Sequence, residues 1–182
     1  PADLDAWTFA TTPLFHSTSA DQLIEALPIQ RLVAEQAVRM ASGRPVHIGP
    51  ITLRPRFNNV ATVRPSVPAG ADLRAGYGAE FTGQTDGRQA SGPLAAWLVA
   101  SCAALAVPGV ESLTYFEEWG PRGLVSAEGE PYPVYEAFTT LRGLSGRQVS
   151  SGWSADGLLW ALEASGGPLV VANDPGLIRH VL

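Results

Sequence analysis

His16, the string Arg54-Pro-Arg56-Phe-Asn58-Asn59 and the pair Glu117-Glu118 hold the side chains of this sequence best suited to chemistry. Guanidinium forks and amides bind hydroxyl and carboxylate oxygens in fixed geometry, and an imidazole or a carboxylate can take a proton from water. Together these groups suit a polar, oxygen-rich small molecule. Glu117 leads as the group acting on water, because it directly follows a strongly apolar run, and Glu118 reads as its solvated neighbour. His16 serves either as a second base or as a structural histidine. Arg54 and Arg56, with Asn58, serve as ligand contacts, or an arginine simply pairs with a carboxylate beneath the site. Trp119 offers a face for a sugar ring or packs. Asp86, Arg88 and Gln89 stand just before an apolar helix and either cap it or fold over the site, while Asp21 and Glu25 suit the favourable N-terminal turns of another helix. Trp97 reads as core.

The elements that must position these groups follow from the hydrophobic pattern. Trp7–Ser17 reads as a largely buried strand ending near His16. Ser19 and Gln22 then have the spacing of a capping box and start a helix, whose apolar residues Ile29, Leu32, Val33, Ala37 and Met40 recur at three and four, with Gly43 as the stop. Pro28 should kink it or mark a fresh start. Pro45–Leu53 reads as a second strand opening into the arginine string, and Val60–Ala90 as a long loop rich in Gly and Pro. Pro93–Val107 reads as a helix apolar on all sides, Glu111–Phe116 as a third strand and Pro133–Leu144 as a further helix with Val134, Phe138 and Leu141 on one side. Two short apolar runs around Ser165-Gly166-Gly167 form a hairpin.

This order of strands and helices calls for parallel strands joined by crossovers, with an antiparallel addition. Three parallel strands leave open edges and uncovered faces. The expected architecture is therefore α/β: about three βα units at the C-terminal end of a (β/α)8 TIM-type barrel over residues 1–146, then the start of a β-sandwich-like appendage over 147–182. A small self-contained doubly wound domain is the competing architecture. In a barrel the reactive side chains stand at the C-terminal strand ends, where His16, the arginine string and Glu117 fall. A first residue of proline implies an excised or processed chain, and a fragment of a barrel is expected to be inactive alone.

Composition narrows the function. Hydrophobic residues make up 46% and charged residues 16% of the 182, a globular balance. The net charge is −5 and all 12 cations are arginine, without any block of like charge, which disfavours nucleic acid and anionic membranes as partners. No lysine is present to act as Schiff base or general base. Cys102 is the single cysteine, and His16, His47 and His180 lack the close spacing of a helical metal site, so neither a metal nor another cofactor is expected. Leu94–Val107 has 14 residues and falls short of the ~20 that a membrane span needs. A soluble, cytoplasmic protein is expected, and its oligomeric state is not set by the sequence.

The strings Ile51-Thr-Leu-Arg54-Pro-Arg56-Phe-Asn58, Asp86-Gly-Arg88-Gln89, Ala96-Trp97 and Ser112-Leu-Thr-Tyr115-Phe-Glu117, with Gly120, Arg122 and Gly123, in this order and spacing, resemble the C-terminal half of the D-apionate lactonase family. The resemblance extends over nearly the whole chain, including Leu14-Phe-His16 and Glu25. Glu118, Trp119 and Asn59 depart from the pattern. What it implies is a bacterial enzyme of apiose catabolism, built as a glycoside-hydrolase-like barrel with a β-domain, that opens a sugar lactone to the aldonate. It further implies Glu117, with His16, as base for water and Arg54 or Arg56 with Asn58 as oxyanion or hydroxyl ligands. The alternatives are a TIM-barrel glycoside hydrolase, which needs a second carboxyl group, and a non-catalytic carbohydrate-binding domain. Each takes a small sugar-derived ligand.

Overall fold

The computed structural model describes residues 4–55 and 85–176. Strands β1 (Trp7–Thr11), β2 (Val46–Ile51) and β3 (Val110–Tyr115) form a parallel sheet in the order β1-β2-β3. Helix α1 (Ala20–Ala41) joins β1 to β2, and α2 (Pro93–Leu105) precedes β3. Two three-residue strands, β4 (Glu117–Trp119) and β5 (Gly123–Val125), and helix α3 (Val134–Arg142) follow. The described chain closes with an antiparallel sheet of β6 (Val149–Trp153), β7 (Leu159–Ala164) and β8 (Leu169–Asn173).

Val46, Ile48 and Ile51 of β2 enter one buried cluster with Leu23 and Leu27 of α1 and with Leu94, Trp97 and Leu98 of α2. The opposite sheet face is small and polar. There Thr8, His47 and Ser112 stand in register across the three strands, and His47 Nδ1 lies 2.8 Å from Ser112 Oγ. Thr8 and Ser112 are exposed.

The first strand is shorter than its apolar pattern suggests. It stops at Thr11, and the chain turns at Pro13, which cannot donate to a ladder, so His16 lies in the loop beyond the strand. The helix starts where the cap predicts, with Ser19 Oγ accepting from the Gln22 N–H at 3.3 Å. The other half of the box is replaced, since the Ser19 N–H is satisfied by Ser17 Oγ at 3.3 Å. Helix α1 then runs unbroken through Pro28. It ends on Ser42, left-handed at φ 52°, with Gly43 following at φ 86°.

The apolar face expected for α1 is not the buried one. Ile29, Leu32, Val33 and Met40 are exposed, at 56%, 46%, 38% and 63%. The buried stripe is Leu23, Ala26, Leu27, Gln30, Ala34 and Ala41. Its alanines let the backbone come close to its neighbours, and the Trp97 indole N–H on α2 donates to the Leu23 carbonyl at 2.9 Å. Small residues thus select the packing face over larger hydrophobes. A buried polar chain crosses the same interface: Ser101 Oγ donates to Gln30 Oε1 at 2.8 Å and lies 2.8 Å from the Tyr115 hydroxyl. Burial pushes the Tyr115 phenol well above its ordinary value.

The antiparallel sheet contains the expected hairpin plus β6, whose Val-Ser-Ser-Gly-Trp sequence carries little apolar signal. Its buried residues Trp160, Leu162, Ala164, Val170 and Ala172 join the cluster that holds α2. Arg31 of α1 reaches β6 as well, with its guanidinium 4.6 Å from the Trp153 ring centre and a 3.2 Å bond to Ser151 Oγ. Among the described residues no helix is long and apolar enough to cross a membrane.

Candidate functional site

The three parallel strands end on the same side of the sheet, and their following segments are tied together. After β1, the Leu14 N–H donates to the Leu53 carbonyl at 3.1 Å, and after β3 the Phe116 N–H donates to the Ile51 carbonyl at 2.9 Å. His16 is exposed in the first of these segments, its ring edge-on to Phe15 at 4.6 Å.

Beyond β2, Arg54 donates through Nε to Asp86 Oδ2 at 3.0 Å. Asp86 is the buried cap of a single 3-10 turn, Gly87–Ala90, just before α2, and it accepts the Arg88 N–H at 3.1 Å. The Arg88 side chain closes on the same carboxylate, Nε on Oδ1 at 2.7 Å and Nη2 on Oδ2 at 2.6 Å, and Nη2 also reaches the Thr18 carbonyl at 2.8 Å. Burial alone would raise the Asp86 carboxyl. The hydrogen bonds from Arg88 and Arg54 outweigh it and hold the group below its ordinary value of 3.8.

Beyond β3 the backbone turns sharply at Phe116, whose φ of 57° is left-handed in a bulky residue and therefore strained. This turn delivers Glu117 into β4. Strands β4 and β5 pair in parallel, Glu117 opposite Gly123 and Trp119 opposite Val125. Parallel partners ordinarily need a crossover of about a dozen residues, whereas here Gly120, Pro121 and Arg122 suffice. Two glycines permit it. Gly120 takes φ 88°, and a Cβ on Gly123 would lie 2.5 Å from the Trp119 carbonyl carbon. The tight loop sets Arg122 beside Glu117, Nη2 to Oε1 at 2.6 Å, with only 7% and 10% of the two side chains exposed. Gln89 pins the loop from behind, its Nε2 donating to the Gly123 carbonyl at 2.8 Å.

Of the residues singled out from sequence, Glu117 and Arg54 therefore stand on neighbouring strand ends, each in a guanidinium–carboxylate pair. Trp119 is 42% exposed beside Glu117, and Glu118 is exposed too. His16 belongs to the third strand end, separated from Glu117 by β2 in the sheet order. Arg56, Asn58 and Asn59, and most of the long loop, lie outside the described residues. The partner expected beneath an arginine is Asp86. Strand periodicity does not single out Arg122, whose sequence signals are the Gly-Pro-Arg-Gly turn directly after the Glu117 strand and its place among the residues that carry the family resemblance.

An open cavity of about 300 Å³ lies elsewhere, beside β3 and α3. Its walls include Cys102, Tyr115, Phe138, Leu141 and Leu162, and none of the candidate residues lines it. Although Cys102 keeps some exposed surface, the apolar surroundings of its sulfur push the thiol up to about 12. Among the described residues no group of three or more His, Cys, Asp or Glu side chains could hold a metal ion.

A family model described as D-apionate lactonase, TIM barrel domain, matches residues 1–146. No curated protein matches the chain. Among solved structures, a GH39 beta-xylosidase from Caulobacter crescentus is similar with 17% identity and a TM-score of 0.47, over 89% of this chain and 32% of that one. A GH39 enzyme from Xanthomonas axonopodis pv. citri is similar with 15% identity and a TM-score of 0.47, over 95% of this chain and 35% of that one. The chain thus spans about a third of the length of these structures.

Proposed function

Since this chain belongs to the D-apionate lactonase family through its TIM barrel domain, we propose that the complete protein is a carbohydrate-active hydrolase that opens a sugar lactone of the D-apionolactone type to the free aldonate. Residues 1–146 supply the last βα units of the barrel and 147–182 begin a β-appendage. Among the described residues the parallel strand pairs all precede residue 146 and the antiparallel sheet begins at Val149, which supports that division.

One observation carries the catalytic part: Glu117 sits at a parallel strand end with its side chain only 10% exposed, oriented by Arg122 at 2.6 Å. Lactone opening begins with attack of water on the ring carbonyl, and a carboxylate there takes the water's proton. Charge develops on the carbonyl oxygen, which Arg54, with Arg56 and Asn58, stabilises. The intermediate then expels the ring oxygen, which leaves as a hydroxyl on receiving the proton back. Trp119 gives the sugar an apolar face, and His16 assists in proton transfer. Glycoside hydrolysis would require a second available carboxyl group. Among the described residues, Asp86 is a second buried carboxylate at these strand ends, and both its oxygens are engaged by Arg54 and Arg88.

The test is Glu117→Gln in the complete protein, assayed for lactone hydrolysis. Turnover should fall by about 10²–10⁴-fold with the fold retained, and unchanged turnover would remove Glu117 from the role.

A further inference from the structure

Arg54 and Arg88 share one carboxylate but use it differently. Arg88 gives Asp86 both Nε and Nη2, adds a bond to the Thr18 carbonyl, and has a side chain only 9% exposed, so its guanidinium is committed to the scaffold. Arg54 gives Asp86 only Nε, and 26% of its side chain is open to solvent. Among the described residues its two terminal amino groups make no hydrogen bond. A guanidinium anchored through Nε still presents its Nη pair, the edge that grips a second carboxylate with two parallel bonds. The charges point the same way. Among the described residues, two guanidiniums around one carboxylate leave one net positive charge at this cluster.

We propose that Asp86 is a positioning residue for an anion site, with Arg54 as the ligand-facing cation, and that this site takes the carboxylate of an open-chain sugar acid. The choice of a sugar acid rests on the lactonase reading above. A lactone is neutral and leaves the net charge unanswered, while the aldonate formed by ring opening neutralises it. The site therefore holds product more tightly than a neutral sugar of the same skeleton.

The experiment is calorimetric binding to the complete protein, with sodium D-apionate as probe and the uncharged alditol of the same carbon skeleton as control. The wild type should bind the aldonate at least tenfold more tightly than the alditol. Arg54→Met should abolish that preference, the aldonate losing at least tenfold more affinity than the alditol, and a retained preference would overturn the assignment of Arg54. Asp86→Asn separates positioning from field. It removes a negative charge, so a pure field effect would tighten aldonate binding, whereas loss of the anchor weakens it about tenfold. Equal or tighter binding by Asp86→Asn overturns the positioning role. Should that variant fail to fold, Arg54→Lys decides: it keeps the charge but lacks the planar fork that is anchored through Nε and grips a second carboxylate, so its preference should fall between those of the wild type and Arg54→Met, and wild-type preference in it overturns the proposal. Binding is read without turnover. A protein that prefers aldonate but hydrolyses no lactone would refute the proposed function alone, and one that hydrolyses lactone without the preference would refute the anion site alone.

Discussion

Replacing Arg122 by Met strips the guanidinium from a Glu117 side chain that is only 10% exposed and leaves a carboxylate in a site with little water. Removing one member of a fully buried ion pair costs about 3–5 kcal/mol, mostly because the other charge is left uncompensated. Both residues have further interactions and Glu117 keeps a little solvent contact, so the lower end applies, about 3 kcal/mol. Glu117→Gln should cost less, since the amide still accepts a hydrogen bond from Arg122. The double variant should cost less than the two singles together, with a coupling of about 1–3 kcal/mol. Urea unfolding of the complete protein, followed by tryptophan fluorescence, reads these differences, and Trp119 in the same strand gives a local signal. An Arg122→Met cost below about 0.5 kcal/mol, the scale of a solvent-exposed pair, or strict additivity of the singles, would refute a buried and coupled pair. The activity of Arg122→Met should fall with its stability, because the carboxylate it orients is the one assigned to the water.

Two other predictions concern the supports of this arrangement. Gly123→Ala brings a Cβ within 2.5–2.7 Å of three Trp119 backbone atoms, which cannot swing away as a side chain can, so it should cost about 2 kcal/mol or more in urea unfolding. Gly152→Ala, with no heavy atom within 4 Å of the new Cβ, is the control and should stay within about 0.5 kcal/mol; equal effects would contradict the close approach. Asp86 has a folded-state carboxyl held below its ordinary 3.8, so the unfolded chain binds its proton first as pH falls. Its stabilising contribution is present above about pH 4 and is lost as pH drops through the lower folded value. Unfolding free energy measured from about pH 6 to pH 3 should therefore decline less steeply in Asp86→Asn than in the wild type, and parallel curves would contradict the depressed carboxyl.

The parallel strands, the three helices and the closing hairpin were legible because each is announced locally, by a cap, an apolar run or a glycine turn. What was not legible depends on partners distant in sequence. The stripe of α1 that faces inward is set by Trp97, 74 residues from Leu23, and no helical period says which of two apolar stripes a distant indole will meet. The β4–β5 ribbon escaped for a different reason. A parallel pair joined by three residues breaks the usual spacing rule, and it forms because Gly120 and Gly123 remove the steric objections and Gln89 holds the loop. Strand β6 carries so little apolar content that only its partner β7 defines it.

The candidate site divides along the same line. Its chemically active members could be named from residue type and strand position, because a carboxylate directly after an apolar strand or an arginine after another is a local fact. Their supports could not be ranked. Asp86 and Gln89 occupy one short turn, yet Asp86 serves the β2 end through Arg54 while Gln89 serves the β4–β5 loop through the Gly123 carbonyl. A single 3-10 turn thus sets the positions of both guanidinium–carboxylate clusters. The consequence is mechanical coupling: a displacement of residues 87–90 shifts the anion-facing Arg54 and the water-facing Glu117 together. Variants in that turn should therefore disturb aldonate binding and turnover jointly, as should Arg54→Met, whose guanidinium serves both the anion site and the developing oxyanion, whereas Glu117→Gln acts on turnover.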